Sequence, residues 1–273
     1  FFIMFQFGID PEIFIESTSP SRGIIPASRI YFGDKGNPFK VPGGAFQVDG
    51  TALELNTKPS STFEEFEKNF FKVYKKVTSM LPENAHFSNA RYVEFTEDVF
   101  QELSPQDKAL GCDPDFNAYT LQMNDMPEGA EDIPVRTAGG HIHIGFGTNE
   151  SNIYSDEYLH KCSSFIKECD VFLGIPSLLK DNESRRHRLY GKAGSFRPKV
   201  YGVEYRTLSN FWIFDKKDRK WVFSNTQRAY NNVMNDKTIY ESVAQKFGPV
   251  EDIINKYDIK QAEKIYEFTQ GSL

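Results

Sequence analysis

The stretch Gly139-Gly140-His141-Ile142-His143-Ile144-Gly145 alternates two imidazoles with two isoleucines. In an extended strand successive side chains point to opposite faces, so both imidazoles share one face and the isoleucines take the other. Such a pair can hold a metal ion or a phosphate, or can simply line a half-exposed strand. Four other strand-like stretches place polar or ionisable groups at the same two-residue spacing. They are Asp10 and Glu12; Glu54 and Asn56; Asp113, Asp115 and Asn117; and Glu204 and Arg206. Each alone suits an ordinary solvent-facing strand. Together they offer carboxylates and imidazoles where exposed strands usually carry Thr, Lys or Ser. Carboxylates on neighbouring strands repel one another unless a cation sits among them. Oxygen-rich sets with an occasional His suit Mg²⁺ or Mn²⁺ better than zinc. The expected site is a funnel that binds divalent metal.

A basic segment supplies the complementary charge. Arg185, Arg186, Arg188, Lys192, Arg197 and Lys199 fall between Ser184 and Tyr201 with no acidic residue among them, and Gly191-Lys192-Ala193-Gly194 lies in the middle. Glycines let a backbone approach a phosphate, and Arg forks bind its oxygens bidentately. The segment lacks the upstream glycine of a P-loop. Metal-holding carboxylates beside a phosphate-binding loop are equipment for phosphoryl transfer from a nucleotide.

These residues need strands to carry them. Alternation predicts a strand over 3–15, with Gln6, Asp10 and Glu12 on its polar side, then a long loop over 17–44. A strand region over 46–57 is broken at Asp49-Gly50, a hairpin signal. Thr62 with Glu65 has the capping-box spacing and opens a helix to Met80. Strands are expected over 90–95, 112–121 and 201–208. A helix begins at Ser155 and is expected to stop at Gly174-Ile175-Pro176. From Lys217 the pattern is helical to the end. The fold class expected is α+β, a curved antiparallel sheet with helices on its back. One domain over 1–273 is expected, with a helical C-terminal part at 217–273.

Composition sets bounds. The net charge of −6 argues against a general nucleic-acid coat, and the basic segment stands out against it. Three cysteines without metal-finger spacing imply a reducing compartment and no disulfide framework. No apolar run reaches the ~18 residues of a membrane span. The chain is expected to be cytoplasmic, without a signal peptide.

The order Asp-Pro-Glu, Asp-Gly-x-x-x-Glu-x-Asn, Gly-x-His-x-His-x-Gly and Glu-x-Arg resembles the carboxylate–amine ligases of the glutamine synthetase and glutamate–cysteine ligase superfamily. The resemblance is closest to the phage-encoded amidoligase branch. It is carried by Gly8 through Glu12, Tyr190 through Arg197 and Glu204 through Ser209, and covers residues 3–212. It implies a glutamine synthetase catalytic-domain-like funnel that binds ATP and Mg²⁺ (or Mn²⁺). ATP would convert a carboxylate to an acyl phosphate, which an amine then attacks. In this likeness Glu12, Glu54, His141 and Glu204 are metal ligands, and Asp10 and Asp115 are shorter acids where glutamates are expected. Arg206 steadies the γ-phosphate, with Glu54 and Glu204 beside it in catalysis. Arg185, Arg188, Lys192, Arg197 and His143 face the nucleotide. The partners implied are small-molecule or peptide carboxylates and amines, with nucleic acid only as a modified substrate, in a phage-infected host cytoplasm. Two other readings remain open: a His/carboxylate hydrolase or oxygenase, which needs no basic loop, and a non-catalytic nucleotide-binding module.

Overall fold

A computed structural model of the chain describes residues 5–19, 23–109, 115–124, 132–147, 149–188 and 190–271. In chain order the strands are β1 (Gln6–Ser17), β2 (Ile24–Ile25), β3 (Phe39–Val41), β4 (Gly44–Asp49), β5 (Ala52–Thr57), β6 (Ala85–Ser88), β7 (Tyr92–Glu94), β8 (Phe116–Asn117), β9 (Val135–Thr137), β10 (Gly140–Gly145), β11 (Ser195–Lys199) and β12 (Gly202–Tyr205). The helices are α1 (Phe63–Thr78), α2 (Glu97–Gln101), α3 (Pro105–Lys108), α4 (Asp156–Cys169), α5 (Ile175–Ser177), α6 (Lys216–Met234), α7 (Tyr240–Phe247), α8 (Val250–Asn255) and α9 (Ile259–Gly271).

The large sheet runs β3-β4-β5-β1-β10-β12-β11-β8, with β2 and β6 also paired to β1; β7 and β9 form a separate ribbon. Every pairing in the large sheet is antiparallel. β1 is the hub. Its first half pairs with β10, Glu12 and Ile13 reach β5, and its last residues pair with β2 and β6.

Strand alternation sorts the two faces. Phe7, Ile9, Ile13, Phe46, Val48, Leu53, Leu55, Ile142, Ile144, Val203, Tyr205 and Phe196 are buried on the helical side. Helix α1 starts where Thr62 accepts from the Glu65 N–H at 3.2 Å, and the Ser61 N–H donates to the Glu65 side chain at 3.1 Å. Its stripe of Phe66, Phe70, Val73 and Val77 lies against the sheet. Phe7 meets Phe66 edge-on at 4.9 Å and Phe223 of α6 at 5.0 Å, while Phe165 of α4 stacks on Phe146 at 4.3 Å. Each fully buried ring contributes roughly 2–3 kcal/mol by transfer from water.

Four features depart from the sequence expectation. The span 17–44 is not a bare loop: it contains β2, a 3₁₀ turn at Ala27–Arg29, and β3 at the sheet edge. The strand expected over 112–121 shrinks to β8, because Asn117 folds back to accept from the Tyr119 and Thr120 N–H groups and turns the chain; Cys112 and Asp113 lie outside the described residues. Arg197 and Lys199 belong to β11, not to a loop. The helix from Ser155 does not stop at Gly174. It widens into a π-turn at Asp170–Gly174 and runs on into α5, with Pro176 in the first turn of α5.

The π-turn buries Asp170 completely under the sheet. Its carboxylate accepts from the Tyr205, Tyr119 and Thr207 hydroxyls at 2.7, 2.9 and 3.3 Å. Tyr205 and Thr207 flank Arg206, so this knot fixes the end of β12. Burial pushes Asp170 up from 3.8 to about 7, against the pull of those donors. A carboxyl raised on folding contributes stability that is complete below its unfolded value and is lost as pH rises through its folded one. Melting of the parent chain and of Asp170→Asn between pH 4 and 8 should therefore show the parent's advantage shrinking as pH rises through about 7. A constant difference in Tm would contradict this.

Candidate active site

The polar face of the sheet forms a continuous row. Gln47 pairs across from Glu54, Glu54 from Glu12, Asp10 from His141, His143 from Glu204, and Glu204 from Arg197. These residues, with Lys35, Asp49, Asn56, Lys199 and Arg206, line a cavity of about 390 Å³. A second cavity of about 380 Å³ continues along the sheet past His143; Gly8 and Gly145 contribute to its lining, with Thr57, Pro59 and Tyr201 around them.

Ligand atoms of Asp10, His143 and Glu204 gather within 4.8 Å of one another. Asp10 Oδ2 lies 3.0 Å from His143 Nε2, and His143 Nδ1 lies 2.5 Å from the Tyr201 hydroxyl. Burial pulls Asp10 upward, but His143 and His141 outweigh it and hold it well below the usual carboxylate range. The same pair acts in reverse on His143: burial lowers it, and Asp10 raises it by more. Glu204 is wholly buried and meets Lys199 Nζ at 2.7 Å, Arg197 Nη1 at 3.8 Å and Arg206 Nη1 in closer contact.

His141 sits between the charges. Its Nδ1 is 3.4 Å from Arg206 Nη1, 3.5 Å from Asp10 and 3.7 Å from Glu204, and its Nε2 is 3.3 Å from the Tyr190 hydroxyl. Burial and Arg206 push it down to about 3, so the ring is neutral and keeps a lone pair for a metal or a proton donor. The family resemblance makes His141 the metal ligand and turns His143 toward the nucleotide. The structure brings His143 into the three-residue cluster and sets His141 beside Arg206. Gly139 makes room for it: a Cβ there would run into the His141 ring.

A second cluster, Glu12, Asp49 and Glu54, also has its ligand atoms within 4.8 Å. Glu12 accepts from the Gly139 N–H at 2.7 Å, and Glu54 accepts from Gln47 and Asn56, both at 3.1 Å. These donors do not offset the crowding. Burial and then Asp49 raise Glu12 to about 7, and burial, Asp10 and Asp49 raise Glu54 well above the usual range. Acids this close stay ionised together only around a cation, and the all-oxygen set suits a hard divalent ion. Asp49 was missed as a ligand because Asp-Gly reads as a turn. The alternation of buried Phe46 and Val48 with Gln47 and Asp49 carried the signal.

Other sequence candidates lie elsewhere. Arg185 is held by Glu183 at 2.6 Å and stacks on Tyr92 at 4.2 Å, away from the cavity lining. Lys192 is exposed and also outside that lining. The Arg188 side chain and all of Asp113 lie outside what is described. Buried Arg186 donates to the Thr207 and Leu208 carbonyls at 2.7 and 2.9 Å, and Gly191, at φ 70°, leaves it space. Asp115 supports Arg206 Nε at 3.3 Å and is in neither acidic cluster.

Fold and cavity define a large antiparallel sheet, backed by helices, with an acid- and imidazole-lined site fit for divalent cations. Residues 120–247 match the family described as "Phage phiEco32-like COOH.NH2 ligase-type 2", and the chain is similar to that family over this span. The matched span includes His141, His143, Arg197, Glu204 and Arg206, while Asp10, Glu12, Asp49 and Glu54 precede it. A solved structure that overlays on the chain is the "Crystal structure of a bifunctional glutathione synthetase from Pasteurella multocida", with TM-score 0.44, 12% identity, and coverage of 97% of this chain and 52% of that one. The chain thus spans about half the length of that enzyme. No curated protein matches the sequence. Among the described residues no helix is long and apolar enough to cross a membrane.

Titration with Mn²⁺ by calorimetry should show binding that strengthens from pH 6 to 8, as the proton leaves Glu12 near 7. Asp49→Asn should weaken it by roughly tenfold or more. Binding that ignores both pH and Asp49 would remove the second cluster as a metal site.

Proposed function

We propose that the chain is an ATP-dependent, ADP-forming carboxylate–amine ligase built on a glutamine synthetase catalytic-domain-like funnel. The observation that carries the reading is the pairing, in one cavity, of two acidic ligand clusters with three cations gathered at Glu204. Phosphorylating a carboxylate requires two anions to meet, and that arrangement meets the need. Mg²⁺ held by Asp10, His143 and Glu204 and by Glu12, Asp49 and Glu54 would neutralise the phosphates and the incoming carboxylate.

The chain's own groups then divide the work. Arg197 and Lys199 bind phosphate oxygens at the Glu204 end. Arg206, aligned by Asp115 and by the Tyr190 ring 5.3 Å away, stabilises charge on the moving phosphoryl group. His141, neutral and beside Arg206, can ligate the nearby ion or donate a hydrogen bond to the phosphoryl group. The cavity past His143, with glycines and Tyr201 in its lining, has room for the nucleoside. A carboxylate oxygen attacks the γ-phosphorus and ADP leaves. The amine nitrogen then attacks the acyl carbon, phosphate leaves and an amide forms. Walls that exclude water protect the acyl phosphate between the two steps. A hydrolase or oxygenase would have no use for three cations on one buried Glu204, so that reading is weaker.

Glu54→Ala, His141→Ala and Arg206→Ala should each lower ATP turnover by roughly a hundredfold or more, measured as ADP release, with the circular dichroism of the parent chain retained. Full activity in all three would reject the site. AMP and pyrophosphate as products would reject the acyl-phosphate route, and ATP binding without turnover would favour the non-catalytic module.

A further inference from the structure

His143 supplies the imidazole of the Asp10, His143 and Glu204 cluster, and its two nitrogens face different partners. Nε2 lies 3.0 Å from Asp10 Oδ2, on the cluster side, and Nδ1 lies 2.5 Å from the Tyr201 hydroxyl. A neutral imidazole offers a cation one lone pair, at the nitrogen that carries no proton. The other nitrogen keeps its proton and needs an acceptor to hold the ring and its tautomer in place. At His143 that acceptor is the Tyr201 oxygen. A phenol is neutral at pH 7, so it takes this hydrogen bond without bringing a charge that competes for the cation.

The backbone holds Tyr201 in this place. Val200 and Tyr201 form the two-residue turn between β11 and β12, where Lys199 pairs with Gly202. The Phe146 N–H donates to the Tyr201 carbonyl at 3.0 Å, and the Glu150 N–H donates to the Val200 carbonyl at 2.8 Å. The Tyr158 hydroxyl donates to the Lys199 carbonyl at 2.7 Å. The turn is thus tied to the end of β10 and to α4, and the Tyr201 ring stands 6.0 Å from the His143 ring.

The reverse arrangement, with Tyr201 donating to Nδ1, would put the proton on Nε2 and leave no lone pair on the cluster side. A cation at Nε2 excludes it. The Tyr201 proton is then left for an acceptor in the second cavity, which Tyr201 lines.

We propose that Tyr201 is a positioning residue that accepts from His143 Nδ1–H and so turns the Nε2 lone pair toward a divalent cation shared with Asp10 and Glu204. This rests on the cation site of the ligase reading above.

The test is Mn²⁺ calorimetry in an Asp49→Asn background, where the other acidic cluster is weakened. Adding Tyr201→Phe, which keeps the ring and removes only the oxygen, should weaken binding by roughly tenfold or more. The same change on top of His143→Gln should cost nothing further. A merely structural role for the tyrosine would weaken binding whether or not residue 143 is histidine. Imidazole ¹⁵N NMR of the Mg²⁺-loaded parent chain should show His143, assigned by its absence in His143→Gln, protonated at Nδ1 alone. Unchanged affinity in Tyr201→Phe, an equal loss with and without His143, or a proton on Nε2 in the loaded parent each overturns the inference and leaves the cation site intact. Mn²⁺ binding that His143→Gln does not alter removes His143 from the cation site, and both the site and this inference then fail.

Discussion

A carboxylate leaves water only if other groups take over the solvation of its charge, and five of them, Asp10, Glu12, Asp49, Glu54 and Glu204, border one cavity. The protein answers unevenly. Glu204 has three cationic neighbours, and Asp10 has two imidazoles. Glu12, Asp49 and Glu54 have one main-chain N–H, two amides and a distant lysine. Burial and mutual repulsion therefore raise Glu12 and Glu54, where Asp10 is held low.

Everything behind the sheet serves to hold that row still. The aromatic layer of Phe7, Phe66, Phe223, Phe146 and Phe165 leaves the helical face no freedom to slide, because a one-residue slip would turn Asp10 and Glu12 into the core. The site is also pinned from its own side. Glu12 grips the Gly139 N–H, and Asn210 Nδ2 donates to the Glu12 carbonyl at 2.8 Å. A Cβ on Gly140 would strike the Ser209 carbonyl, so this glycine lets β10 lie close under the chain that leaves β12.

Two-residue periodicity made much of this legible. It gave the shared face of Asp10, Glu12, Glu54, His143, Glu204 and Arg206, because a strand's pleat is a local rule. The C-terminal helices were legible for the same reason, through their apolar stripes. What stayed hidden depends on contacts distant in sequence. Asp49 joins the acidic cluster only when its hairpin lies next to β1. Arg186 and Arg185 look like phosphate binders in a basic run, yet each is engaged by its own neighbourhood, one by carbonyls and the other by Glu183. The continuation of the helix through Asp170 goes with hydroxyls from two distant segments, Tyr119 and the Tyr205–Thr207 stretch, which no window of sequence displays.

Asp10 and Glu12 belong to different clusters but to one strand, with only Pro11 between them. The pleat sets residues two apart at roughly 6.6 Å, so the spacing at which β1 presents its carboxylate to each cluster is ruled by covalent geometry rather than by how the walls pack. β1 then acts as a gauge. Helices can breathe and turns can swing while the spacing of these two carboxylates along the strand stays the same, so the rim can be redrawn without moving the pair at the floor.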